Sequence, residues 1–200
     1  ISPAGHGMAG IAAALMGAGR LLGEPAYLSA AMDALDFERR IYSEKLGTWP
    51  DLRDSAFSEQ AMHGLCSGAP GIGLAFLFCQ EQGTAAGIEP KLEGDIERAL
   101  EAVFRHPPLY MDYLCCGNSA AVEFLMEASL AVPERARACQ EAAGRLLGWM
   151  VRRKEQEGEY MYLPPEFRQA FAPDLLYGAA GIGYEMLRFA APERIVPVLF

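Results

Sequence analysis

The chain lacks any uninterrupted apolar run near the ~18 residues that a membrane span requires, although 52% of its residues are hydrophobic. It also lacks the alternating apolar–polar stretches that mark strands. At most Tyr160-Met161-Tyr162-Leu163, ahead of Pro164-Pro165, reads as a short extended piece. Basic residues are few: 17 Lys and Arg against 26 Asp and Glu leave a net charge of −9, which argues against nucleic acid as a main partner. The longest basic cluster, Arg152-Arg153-Lys154, is followed at once by Glu155 and Glu157 and reads as a helix C-terminus offsetting its dipole. No basic, then apolar, then small-residue leader is present, and the chain starts at Ile1 without Met, so a fragment of a cytoplasmic protein is expected. The five cysteines follow no regular framework, which fits a reducing compartment.

What the chain does have is a repeat. His6-Gly7-Met8-Ala9-Gly10-Ile11, Ser67-Gly68-Ala69-Pro70-Gly71-Ile72, Cys116-Gly117-Asn118-Ser119-Ala120-Ala121 and Tyr177-Gly178-Ala179-Ala180-Gly181-Ile182 share a pattern, with first glycines at 7, 68, 117 and 178. Each opens a nearly apolar run, ending at Met16, Phe78, Met126 and Leu187. A helix apolar on most faces belongs in the interior. Between these runs lie amphipathic helices. Ile96, Leu100, Val103 and Phe104 make one stripe, Cys139, Ala142, Ala143, Leu146, Leu147 and Met150 another, and Tyr27 to Leu46 is helical in composition. Alternating buried and amphipathic helices at this period predict an all-α solenoid or closed ring of inner and outer helices. The 200 residues suit one domain or a substantial piece of a larger one.

The repeat gives its cysteines a place. Cys66, Cys115 and Cys116 each stand just ahead of an inner helix, as does His6. A cysteine at a helix start tends toward thiolate, and three such thiolates can hold one soft metal ion with a position left open. Adjacent cysteines also serve as packing residues or disulfide partners, so the doublet alone decides nothing. His6 reads either as an acid–base group or as a helix-start histidine making a structural hydrogen bond. His63 precedes Cys66 by three residues and reads as an outer partner or surface residue; a fourth protein ligand there would close the site. Cys79 and Cys139 fall in apolar stripes and are expected in the core, Tyr177 and Tyr184 line a cavity or pack, and His106 marks a helix end.

Gly5-His6-Gly7, Cys66 with Gly68-Ala69-Pro70-Gly71-Ile72, Cys115-Cys116-Gly117-Asn118 and Tyr177-Gly178-Ala179-Ala180-Gly181-Ile182-Gly183-Tyr184 stand in one order across almost the whole chain. In these motifs the sequence resembles the lanthionine synthetase C family, the LanC-type cyclases and the cyclase domains of class II lanthipeptide synthetases. The resemblance implies an α/α-toroid, part of a double ring of inner and outer helices. It makes residues 1–200 the C-terminal portion of a LanC-like cyclase domain, with the N-terminal part and the dehydratase domain of a synthetase outside the chain. It implies Zn2+ held by Cys66, Cys115 and Cys116, and His6 as the catalytic histidine. Cys116 stands where the family usually has histidine, as in a three-cysteine subset of class II synthetases. Leu65 replaces a frequent tryptophan. An aspartate thought to assist the acid–base step belongs to the N-terminal part.

The implied reaction joins cysteine thiols of a dehydrated precursor peptide to dehydroalanine or dehydrobutyrine, giving lanthionine or methyllanthionine rings, as in bacteriocin biosynthesis. The alternative is a non-catalytic zinc-stabilised LanC-like binding module. A toroidal glycosidase or prenyltransferase would need paired carboxylates or a different zinc-ligand set; Asp112 and Glu123 lie near the doublet, but no second pair repeats.

Overall fold

A computed structural model describes residues 7–52, 61–66, 68–162 and 171–198. Among them are seven α-helices: α1 Met8–Leu22, α2 Pro25–Ile41, α3 Ala69–Ala85, α4 Glu93–Arg105, α5 Asn118–Ala131, α6 Ala136–Glu157 and α7 Ala179–Ala190. Isolated bridges pair Ser43 with Thr48 and Pro50 with Ala61, and the described residues contain no strand. The expected extended piece is coil and not strand at Met161 and Tyr162, and Leu163 lies outside the described residues. The helix expected to reach Leu46 stops at Ile41, because the chain turns back at once through the Ser43–Thr48 bridge.

The glycine of each repeat is a helix cap: Gly7, Gly68, Gly117 and Gly178 precede α1, α3, α5 and α7, and none caps through a side chain. The chain divides into two compact units, Ile1–Met62 with Cys66–Arg105, and His63–Leu65 with His106–Phe200.

In the first unit α1 packs on α2 and α3, and α3 on α4. Helix α3 is buried nearly all round, from Ala69 through Leu77 and at Cys79. Trp49, only 2% exposed, sets its ring edge-on to Phe76 at 5.7 Å and donates its indole N–H to the Glu38 carbonyl at 2.9 Å. The buried Glu38 carboxylate accepts the Ala9 amide at 3.0 Å, placing a negative charge where α1 has orphan N–H groups and no capping side chain. Helix α1 departs from the expectation of burial on most faces: Ile11 is 49% exposed.

In the second unit α5 packs on α6 and α7. Val122, Phe124, Leu125 and Met126 of α5 are buried, as is the α6 stripe Cys139, Ala143, Leu147 and Met150. Each large side chain taken fully from water contributes about 1.5–3 kcal/mol.

Charge is buried here too. Arg188 on α7 donates to Glu123 and Glu127 on α5, and the Val198 amide donates to Glu123 Oε1 at 2.8 Å. Glu185, fully buried one turn before Arg188, accepts no hydrogen bond through either oxygen. Burial, and then the neighbouring Glu123 carboxylate, push its pKa up to about 9. Glu185 therefore binds a proton more tightly folded than unfolded, where its value is near 4.5. Its contribution to stability is full below about 4.5 and is lost as pH rises toward about 9. Glu185→Gln, which removes the titrating carboxyl at nearly the same size, is expected to flatten the fall in urea midpoint between pH 6 and 9. An unchanged slope would place the titration elsewhere.

Candidate metal centre

The sequence Leu114-Cys115-Cys116-Gly117 ends the loop that enters α5. Its backbone is held from two directions. The Cys115 amide donates to the Leu176 carbonyl at 2.8 Å, and the Cys115 carbonyl accepts the Leu65 amide at 2.6 Å. Gly64 sits so close that a Cβ would lie 2.7 Å from Cys116 Cα and 2.8 Å from the Cys115 carbonyl oxygen. Gly117 is hemmed in by its own loop, with a Cβ 2.5 Å from the Tyr113 oxygen and 2.7 Å from the Met111 oxygen. Both glycines are required by close approach of backbone. Residues 63–65 are thus part of the second unit, and Cys66 follows Leu65 by one peptide bond.

The sulfurs of Cys66, Cys115 and Cys116 all lie within 4.8 Å of one another, and those of the doublet are 3.5 Å apart. Zinc–sulfur bonds of about 2.3 Å at tetrahedral angles set sulfurs roughly 3.8 Å apart, so the donors suit a soft ion in number, type and spread. Cys115 is buried, and Cys66 and Cys116 are half-buried. No disulfide links the five cysteines. The other two are core residues: burial pushes the Cys79 thiol up to about 12 and the Cys139 thiol up to about 11. Both stay protonated near neutral pH and are poor ligands there.

The sequence profile of the family described as "Lanthionine synthetase C-like protein" matches residues 2–200. The chain belongs to the LanC-like family. Among solved structures it is similar to nisin cyclase, at 19% identity and a TM-score of 0.57, over 97% of this chain and 46% of that one. The LanC-like chain therefore spans about half the length of nisin cyclase. At that identity the likeness concerns the fold, which is the all-α toroid expected from the sequence. No curated protein is matched by sequence.

His6 lies outside the described residues. His63 is half-buried and stacks on His106, ring centroids 3.4 Å apart. Burial, and then the neighbouring His106, hold its pKa down at about 4, so it is a neutral imidazole at pH 7. His106, just past the end of α4, donates Nδ1–H to the Pro107 carbonyl at 2.6 Å. Tyr184 donates its hydroxyl to the Val196 carbonyl at 2.7 Å, whereas Tyr177 is half exposed and lies 5.6 Å from the Tyr113 ring.

Asp112 and Glu123 make no carboxylate pair. Asp112 receives Arg153 and Asn118, and Glu123 receives Arg188. Sequence reasoning missed Arg153, Glu185 and Arg188. Arg153 read as part of a basic cluster offsetting the dipole at a helix C-terminus, and the other two sit in an apolar-looking helix with no spacing signal to mark their partners.

Proposed function

We propose that the chain is the C-terminal portion of a zinc-dependent peptide cyclase, of the kind found in class II lanthipeptide synthetases. The observation that carries the reading is the convergence of Cys66, Cys115 and Cys116 within 4.8 Å in a chain of the LanC-like family. These three thiolates would hold the ion and leave one tetrahedral position for a substrate sulfur. Bound zinc would supply the Lewis acidity that keeps a cysteine thiol of the precursor peptide deprotonated near neutral pH. That nisin cyclase has a cyclase's name supports the reaction class, and a reducing compartment suits a site built of thiols.

The bond made is carbon–sulfur. The peptide's thiolate adds to Cβ of a dehydroalanine or dehydrobutyrine, the alkene's electron pair moves toward the neighbouring carbonyl, and Cα takes up a proton. The proton lost by the thiol balances the one gained, so no oxidant or reductant is needed. His6 has the titration range to accept the first and deliver the second.

The test is His6→Asn in the full-length enzyme, assayed on a synthetic peptide bearing one cysteine and one dehydroalanine. Metal content is expected to stay at the wild-type level while cyclisation slows by ~10²–10⁴-fold, leaving a free thiol that an alkylating agent labels. Loss of zinc would make His6 a ligand. Full rate with full zinc would make it structural and move the acid to another residue.

A further inference from the structure

The loop that carries the doublet is closed on itself by side chains. Asn118, the first residue of α5 and 2% exposed, donates to the Asp112 carboxylate at 2.9 Å and to the Leu109 carbonyl at 3.0 Å, and accepts the Leu109 amide at 2.7 Å. The Asn118 amide donates to the Met111 carbonyl at 2.9 Å. Ser119 donates its hydroxyl to the Asp112 carbonyl at 2.6 Å. Cys115 and Cys116 therefore sit inside a hydrogen-bonded ring that begins at Asp112 and ends at Asn118.

Asp112 is the hub of this ring. Its carboxylate is fully buried, and its second oxygen takes the Met161 amide at 2.9 Å and Arg153 Nη2 at 2.5 Å. The Asp112 amide in turn donates to the Met161 carbonyl at 2.6 Å. Arg153 comes from α6, its guanidinium 4.2 Å from the centre of the Trp149 ring and 5.7 Å from that of Tyr110. The arginine fixes the carboxylate in place.

We propose that Asp112, held by Arg153, is the positioning residue of the cysteine doublet: it sets the direction of Cys115 and Cys116 and thereby the affinity and geometry of the metal they hold. The inference rests on the metal reading given above. Groups that orient ligands from behind commonly change metal affinity by about 10–100-fold when replaced.

The test uses cobalt(II) and zinc(II) as probes on the reduced, metal-stripped protein, with no peptide present. Wild type is expected to give a thiolate-to-cobalt absorption band at one equivalent. Asp112→Asn, nearly the same size but left with one acceptor oxygen, cannot accept Asn118 as well as Arg153 and the Met161 amide, and is expected to bind zinc about 10–100-fold more weakly in a chelator competition. Its cobalt ligand-field bands should also shift, while the helical circular dichroism stays as in wild type. A residue that merely stabilised the fold would lower the melting temperature and leave the bands where they were. Asn118→Ala opens the same ring without unpairing Arg153, so it carries the test if Asp112→Asn does not fold; its bands and affinity are expected to move the same way. Wild-type affinity and bands in the folded variants would overturn the positioning role. A wild-type protein that binds neither ion would instead overturn the metal reading beneath it.

Discussion

Cys115→Ala is expected to remove zinc from the chain at micromolar protein, and Cys116→Ala and Cys66→Ala to do the same. Structural zinc sites bind with roughly 10–16 kcal/mol at neutral pH, shared among four ligands, so losing one thiolate is worth on the order of 3–4 kcal/mol, about a hundred- to thousandfold in affinity. Only two protein ligands would remain, and water would have to supply the others. Cys79→Ala and Cys139→Ala are the controls that make the result specific. Their thiols are buried away from the cluster with pKa values pushed up to about 12 and about 11, so each variant should retain one zinc per chain. The measurement is elemental analysis after gel filtration, alongside a count of titratable thiols. One zinc per chain in the Cys66→Ala protein would show that the ion has other ligands.

Arg188→Met is expected to destabilise the second unit by about 3–5 kcal/mol, the usual consequence of removing one partner from a buried charge cluster. The Arg188 side chain is 3% exposed and lies between Glu123, itself fully buried, and Glu127. Methionine fills much of the same volume but takes away the guanidinium that bonds both carboxylates. The exposed pair Arg137–Glu141 on α6 offers the contrast, since solvent screens it and its loss should scarcely register. Urea unfolding at pH 7 measures both. A loss below about 1 kcal/mol for Arg188→Met would mean that the carboxylates relieve themselves by taking up protons. In that case the variant's stability should rise steeply on acidification.

The architecture was legible because it is written in spacing. Glycines at 7, 68, 117 and 178 mark the caps of α1, α3, α5 and α7, and the stripe at Cys139, Ala143, Leu147 and Met150 marks the inward face of α6. Cys66 and the doublet were legible for the same reason, each standing immediately ahead of one of those caps. What spacing does not carry is the partner of a polar group. Glu123 and Glu185 each interrupt an apolar run once, which looks like a solvated position. Only packing reveals that both face Arg188. Asp112 stood out only as a carboxylate near the doublet, because its bonds reach Arg153 and Met161 some forty to fifty residues later. Burial of α1 and α7 was overestimated: Ile11 and Leu187 are 49% and 61% exposed, since an apolar composition says nothing about how many neighbours a helix has.

The seat of Gly64 on Cys116, and the bond from the Leu65 amide to the Cys115 carbonyl, are made by protein alone. Those residues stand about 50 positions apart, and a flexible chain of that length would lose roughly 3.4 kcal/mol of closure entropy each time it gathered its ends around an ion. Here that loss falls on folding, before any ion arrives. On the proposed zinc reading, loading and unloading would then be events of a finished socket, with rates set by access and ligand exchange. A small zinc domain behaves the other way, melting when its ion leaves. Metal-stripped protein is therefore expected to keep its helical circular dichroism and its thermal transition, and to take up an ion without refolding.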